Sequence, residues 1–276
     1  MSNIIFIDGS ATIKWTTFSD GTETCKITPE RVQGSHGYVE REVSNKIQVH
    51  IEDGTRDLIR IGLVKDALYR LGIKNVTLTL MYMPQARADR VFEKGMPLPI
   101  KVFANILNSF GFDKVYLFDP HSDVTPALIN NVEVITQPRL VYNLKIDSGT
   151  KFTLCAPDLG ATKKTFDTAK LLGHDKFYQA IKVRDVTTGD IVACDLVEQE
   201  VSGRVLIIDD IADGGASFKH LAKLLKERGA SQVDLYVTHG IFSKGLEAMK
   251  PEIDNIFVEN IVGSFINVAD IWQFNE

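Results

Sequence analysis

The chain has 276 residues, 44% of them hydrophobic and 24% charged, with a formal net charge of −5. This length accommodates two modest cores, and an acidic balance without a dominating lysine and arginine cluster excludes a nucleic-acid footprint while leaving phosphorylated small molecules open. No apolar run approaches membrane-spanning length, and MSNIIFIDGS lacks a basic region ahead of an extended apolar stretch, so a cytoplasmic setting with no membrane partner is expected.

Ile4 to Ile7 and Lys46 to Ile51 read as strands, and the polar segment between them, rich in Thr, Gly and Glu, as hairpins or an extended loop. Taken alone, Phe18-Ser19-Asp20-Gly21-Thr22-Glu23 is a turn signal, with Phe18 a core residue. Asp57 to Leu71 is amphipathic, with Leu58, Ile61, Leu63, Val64, Leu68 and Leu71 on one side, Asp53 or Thr55 as its cap and Gly72 as its stop. The strand Val76 to Met83 runs into a charged loop, Pro84 to Arg90, which reads as a solvated rim or a polyphosphate-binding loop. A helix over Ile100 to Phe110 leads to the strand Lys114 to Phe118 and then to Asp119-Pro120-His121-Ser122-Asp123. A lone histidine there is more often structural than ligating.

Gln137 to Gly149 reads as a linker. Phe152 to Ala156 is a strand in which Cys155 serves as core packing. With Cys25 and Cys194 it makes three widely spaced cysteines without a close histidine, too few and too scattered for a disulfide framework or a zinc site. The loop Pro157 to Thr162 and the helix Lys163 to Leu172 follow, a loop-to-helix junction that offers an anion cradle. Phe177 to Val183 is a strand bringing Lys182 and Arg184 to its end, Thr187 to Asp190 a turn, and Ile191 to Leu196 the returning strand of a hairpin. Val233 to Thr238 and Ile256 to Glu259 are further strands. Strand and helix alternate in two successive halves, 1–137 and 138–276. The expected fold is therefore α/β, two similar domains each with a mostly parallel sheet flanked by helices.

The most informative stretch is RVLIIDDIADGGASFKHLAKLLKER, Arg204 to Arg228. Val205 to Ile208 read as a buried strand ending in Asp209 and Asp210. Asp213, Gly214, Gly215, Ala216 and Ser217 form a tight loop, and Phe218, Leu221, Ala222, Leu224 and Leu225 repeat at helical spacing up to Gly229. Backbone N–H groups and the helix dipole at such a junction hold a phosphate, while the two aspartates accept sugar hydroxyls or recruit a divalent cation. A doublet of aspartates at a strand end is by itself only a general switch-point feature. The whole order of strand, two aspartates, aspartate, small residues, serine and helix is narrower, and resembles the phosphoribosyl pyrophosphate loop of type I phosphoribosyltransferases.

Further segments extend that resemblance. FSDG at Phe18, ARADR at Ala86, FANIL at Phe103, DPHSD at Asp119, APDLG at Ala156, KVR at Lys182, LIIDDIADGG at Leu206 and VTHGIFSKG at Val237 resemble, in order and over most of the chain, the ribose-phosphate pyrophosphokinases. The resemblance implies a phosphoribosyltransferase-like fold and transfer of the pyrophosphoryl group of ATP, with Mg²⁺, to the C1 hydroxyl of ribose 5-phosphate. It implies that Phe18, Asp20, Glu23, Arg87, Asp89, Arg90 and His121 bind ATP, with Phe18, Asp20 and Glu23 supplied to a neighbouring subunit of a homo-oligomer with a shared active site. His121 and Asp158 lie near the metal. Lys182 and Arg184 correspond to the catalytic loop, and Asp209, Asp210, Asp213, Gly214, Gly215, Ala216 and Ser217 hold the sugar phosphate; no base is obvious, and either a metal-bound sugar hydroxyl or a catalytic Asp213 accounts for the proton. No nucleophilic side chain is needed.

Departures from the family pattern are specific. The stretch before Phe18 is short, Ala88 stands where glutamine is usual, Leu159 follows Asp158 where paired glycines are usual, and Ala216 and Ser217 replace glycine and threonine. The methyl of Ala216 leaves a second acceptor open, a 5-substituted ribose such as ADP-ribose. A non-catalytic regulatory subunit is the alternative of another class, and keeping Lys182, Arg184, His121 and Asp158 speaks against it. A plain phosphoribosyltransferase would not need the ARADR and DPHSD loops.

Overall fold

The computed structural model describes residues 5–7, 10–34, 37–51, 53–143, 151–184, 191–249, 252–263 and 272–273. Two compact units divide the chain, Met1–Ile135 and Thr136–Glu276.

In the first unit the elements are β1 (Ile5–Ile7), β2 (Ala11–Thr17), β3 (Glu23–Pro29), β4 (Arg31–Gly34), β5 (Gly37–Glu40), β6 (Lys46–Val49), α1 (Gly54–Arg70), β7 (Thr77–Leu80), α2 (Pro99–Ser109), β8 (Lys114–Phe118), α3 (Val124–Leu128) and β9 (Val132–Ile135). One sheet runs β3-β2-β1-β6-β7-β8-β9, and β4 with β5 forms a separate ribbon. From β6 to β9 the strands are parallel, while β1 to β3 extend the β6 edge antiparallel. α1 forms where its apolar stripe can close the sheet: Leu58, Ile61, Val64 and Leu68 are buried, and Asp53 caps it by accepting from the N–H groups of Thr55 and Arg56, each at 3.2 Å. Its first residue, Gly54, leaves no room for a side chain, because a Cβ would stand 2.9 Å from Cβ of Pro84. That close approach seats the Pro84 to Arg90 loop on the helix start.

The second unit contains α4 (Gln137–Asn143), β10 (Phe152–Ala156), α5 (Thr162–Leu172), β11 (Tyr178–Arg184), β12 (Ile191–Leu196), β13 (Gly203–Ala212), α6 (Ala216–Glu227), β14 (Ala230–Gly240), a single 3₁₀ turn at Leu246–Ala248, β15 (Asn255–Ile261) and β16 (Trp272–Gln273). Its sheet order is β12-β11-β10-β13-β14-β15-β16, parallel throughout except for the β11–β12 hairpin. Val205 to Ile208 are at most 1% exposed, as a central parallel strand covered on both faces requires. Each such side chain contributes about 1.5 to 3 kcal/mol by burial.

Several sequence expectations need correction. Part of the expected linker is helical: α4 starts at Gln137, with Pro138 in its first turn, where a missing N–H is harmless. Residues 144–150 lie outside the described set, as does the turn 187–190. Phe18 is not core but 55% exposed, at the tip of the β2–β3 hairpin. β13 does not stop at Ile208 but continues to Ala212, because β14 pairs with it as far as Ala212 opposite Gly240. α3 and β9 were not anticipated, being short and weakly periodic. Cys155 is fully buried, which pushes its thiol far above the usual range. Among the described residues, no helix is long and apolar enough to cross a membrane.

Candidate active site

The second unit gathers charge at the carboxyl ends of β10 and β13. These two strands are neighbours from which the chain proceeds in opposite directions, β10 through α5 to β11 and β13 through α6 to β14. This is a topological switch point, where open α/β sheets leave a crevice. β10 ends at Ala156, and its last partner on β13 is Ile207 opposite Cys155, so Asp209 and Asp210 run on beyond it. Strand alternation sends them to opposite faces, Asp209 with Val205 and Ile207, Asp210 with Leu206 and Ile208.

The carboxylates there are only partly offset. Lys182 Nζ lies 2.9 Å from Asp158 Oδ2, and Lys164 Nζ lies 3.9 Å from Asp210 Oδ2. Asp209 accepts from the backbone N–H of Asp210 at 2.9 Å, but burial, then the charges of Asp210 and Asp158, push its carboxyl well above the ordinary range. Lys164 was not singled out from the sequence; its signal was its place in the first turn of the helix after the Asp158 loop. The loop Pro157 to Thr162 is less open as a second cradle than the sequence suggested, because Asp158 Oδ1 already accepts from the N–H of Ala161 at 3.2 Å. The backbone of Arg184 closes β11, and its side chain lies outside the described set.

The turn after β13 is shaped by its glycines. Gly215 has φ +76°, and a Cβ on it would stand 2.5 Å from Cγ of buried Met249, so only glycine fits. Asp213 is steadied by the hydroxyl of Ser243, which donates to its Oδ1 at 2.5 Å. Ala216 is exposed, and Ser217 is half-buried in the first turn of α6. α6 has no side-chain cap at its start and no acidic residue in its first turn. Amides and a helix dipole there favour an anion.

In the first unit the loops after β7 and β8 meet. Asp89 is 6% exposed, with Arg90 Nε 3.1 Å from its Oδ1. Burial works to raise its carboxyl, but the hydroxyl of Ser122, then Arg90 and His121, outweigh this and leave it below the ordinary range. Arg87, Arg90 and His121 are exposed around it. Both loops carry a residue with positive φ, Gln85 at 64° and Asp119 at 31°, conformations that non-glycine residues adopt only where surrounding structure imposes them.

The β2–β3 hairpin presents Phe18 and Asp20 outward. Asp20 braces the turn by accepting from the N–H of Thr22 at 2.9 Å, which lowers its carboxyl. Glu23 is engaged within its own unit by Arg60 at 2.6 Å and Arg56 at 2.5 Å, and these guanidiniums pull its carboxyl down to about 2. Arg60 in turn stacks over Trp15, 4.7 Å from the ring centre. Among the described residues, no three His, Cys, Asp or Glu side chains converge as a metal cage.

Residues 185–273 match the phosphoribosyl synthetase-associated domain family. A ribose-phosphate pyrophosphokinase of Mycoplasmopsis pulmonis is 26% identical over 253 residues, covering 91% of this chain and 76% of the relative. The phosphoribosylpyrophosphate synthetase of Mycobacterium smegmatis, a crystal structure at 19% identity, shares the fold with a TM-score of 0.75 over 96% of this chain and 86% of the other. The ribose-phosphate pyrophosphokinase of Vibrio cholerae is 30% identical over 246 residues, 85% of this chain and 72% of the relative. With that share of both sequences aligned, the chain belongs to the ribose-phosphate pyrophosphokinase family.

Proposed function

We propose that this chain transfers the β,γ-pyrophosphoryl group of ATP to the C1 hydroxyl of ribose 5-phosphate, giving phosphoribosyl pyrophosphate and AMP. The observation that carries the reading is the pairing of an acidic switch point, Asp158, Asp209 and Asp210, with the glycine turn of residues 213–217 in a chain of this family. Hydroxyls of the sugar donate to the carboxylates, and its 5-phosphate accepts from the amides of the turn. Arg87, Asp89, Arg90 and His121 take the nucleotide, and Phe18 and Asp20 on the outward hairpin serve a neighbouring copy in a homo-oligomer.

The C1 oxygen attacks the β-phosphorus as the bond to the α-phosphate oxygen breaks, and the hydroxyl proton passes to Asp213. Lys182 and Arg184 stabilise the charge that spreads over the transferring oxygens, a role worth about 3 kcal/mol per contact. The carboxylate oxygens of Asp158 are hard donors and would hold the metal on the second unit's side. A hard oxygen donor suits Mg²⁺, which keeps waters and takes substrate phosphates rather than an all-protein cage. When bound, it neutralises phosphate charge.

The test is AMP release from ATP by the full chain with Mg²⁺, offered ribose 5-phosphate or ADP-ribose, with and without excess chelator. Release with ribose 5-phosphate, abolished by the chelator, is expected. Release with ADP-ribose alone moves the acceptor to a 5-substituted ribose, and release with neither leaves a regulatory subunit.

A further inference from the structure

The side chain of Lys244, from the loop after β14, runs across the turn that precedes α6. A Cβ built on Gly214 would stand 3.5 Å from its Cδ, 3.6 Å from its Cε and 3.8 Å from its Cγ. The contact is made by the methylenes of the stem, an arrangement that lets a lysine lie on one surface and carry its charge past it. The loop that holds it is fixed on both sides. Phe242 before it is fully buried, Ser243 donates to Asp213 in the turn itself, and Gly245 after it donates its N–H to the carbonyl of Phe242 at 2.8 Å. The other lysine near this turn, Lys219 in the first turn of α6, is committed to Glu252 at 3.7 Å. Lys244 has no such carboxylate partner among the described residues, and its side chain is exposed.

The turn supplies amides, which bind singly and doubly charged phosphates alike, but no charge that answers the second negative charge of a phosphomonoester. We infer that Lys244 sets its ammonium against the 5-phosphate of the acceptor and selects a phosphomonoester dianion over the singly charged phosphate of a 5-diester such as ADP-ribose. The inference rests on the reading that residues 213–217 take the sugar phosphate, and it deepens that reading by naming the residue that decides the substrate. A point charge suits this task, because a lysine on a phosphate acts through charge and not through a fixed fork of donors.

The test compares the full chain with Lys244→Met and Lys244→Arg by calorimetric titration with ribose 5-phosphate and by AMP release. Lys244→Met is expected to weaken ribose 5-phosphate binding about tenfold or more, as loss of a charge-assisted contact does. The KM for ribose 5-phosphate rises with it, the KM for ATP does not, and Lys244→Arg recovers most of the loss. Ribose 5-phosphate affinity within about twofold of the parent in Lys244→Met overturns the inference. A parent that binds ribose 5-phosphate through Lys244 yet releases no AMP overturns the transfer reading and leaves this inference standing. A parent that does not bind ribose 5-phosphate overturns both.

Discussion

Asp209 carries its carboxyl on a buried strand beside two further carboxyls, Asp210 and Asp158, and is held proton-bound to higher pH than in the unfolded chain. Folding therefore binds a proton there, and stability falls as pH rises through the interval between the unfolded value, about 3.9, and the raised one. Above that interval the native state keeps a charge it would be better without. Asp209→Asn is thus expected to raise the thermal midpoint at neutral pH, by the equivalent of about 1 to 2 kcal/mol, while AMP release with ribose 5-phosphate drops at least about tenfold. Differential scanning calorimetry and the release assay read the two effects, and a variant less stable than the parent removes the charge-crowding account. Lys182 answers the same crowd from the other side, 2.9 Å from Asp158. Lys182→Ala is expected to cut turnover about a hundredfold or more with little change in nucleotide affinity, because its charge is used on the transferring group. Unchanged turnover takes it out of the mechanism.

Among elements, the β2–β3 hairpin and the turn before α6 are each held by one local device. The tip end of the hairpin is tied to α1 through Glu23, whose carboxylate accepts from Arg56 and Arg60 and sits at about 2. A depressed carboxyl contributes stability that is present above its unfolded value, about 4.3, and is lost as pH falls through about 2. Glu23→Gln should cost about 1 to 2 kcal/mol at neutral pH, between an exposed pair and a buried one, and flatten acid destabilisation over that interval. Urea titrations at pH 7 and pH 3 read the difference. The turn before α6 depends on Gly215. Gly215→Ala asks an alanine to adopt φ +76° with its methyl 2.5 Å from Met249, so the turn must shift and strain of about 1 to 3 kcal/mol is added. Ribose 5-phosphate affinity should fall in Gly215→Ala, and pairing it with Met249→Ala should recover stability in part but not the positive φ. Full recovery of both would assign the whole requirement to the clash.

At the scale of the molecule, each unit owns its core. One buried apolar cluster lies within Ile5 to Ile129 and another within Cys155 to Val258. A chain of residues 136–276 alone is therefore expected to fold cooperatively and to bind ribose 5-phosphate, yet release no AMP from ATP. A fragment that melts without a cooperative transition shows that the second core needs the first unit.

Much of this architecture was legible residue by residue. β8 at Lys114–Phe118 and β10 at Phe152–Ala156 have the bounds that their apolar runs suggest, and α1, α2, α5 and α6 lie where the apolar spacing puts them. Burial is encoded locally, in periods of two and of three to four residues, so these elements need no partner to be recognised. The glycine turn and its aspartates were legible for a similar reason, since tight turns and phosphate cradles constrain neighbouring residues in one short stretch.

What the tertiary structure alone decided is everything that depends on which strand lies beside which. The length of β13 follows from its pairing with β14, and that extension sends Asp209 and Asp210 to opposite faces. Lys164 reaches Asp210, Lys244 crosses Gly214 and Glu23 is taken by α1 because sheet order and helix seating bring together residues far apart in the chain. Such approaches leave no periodic trace in either partner's own segment. Local patterning determined the elements and the kind of chemistry at their ends; the neighbours that set each group's charge, reach and accessibility were fixed only by packing.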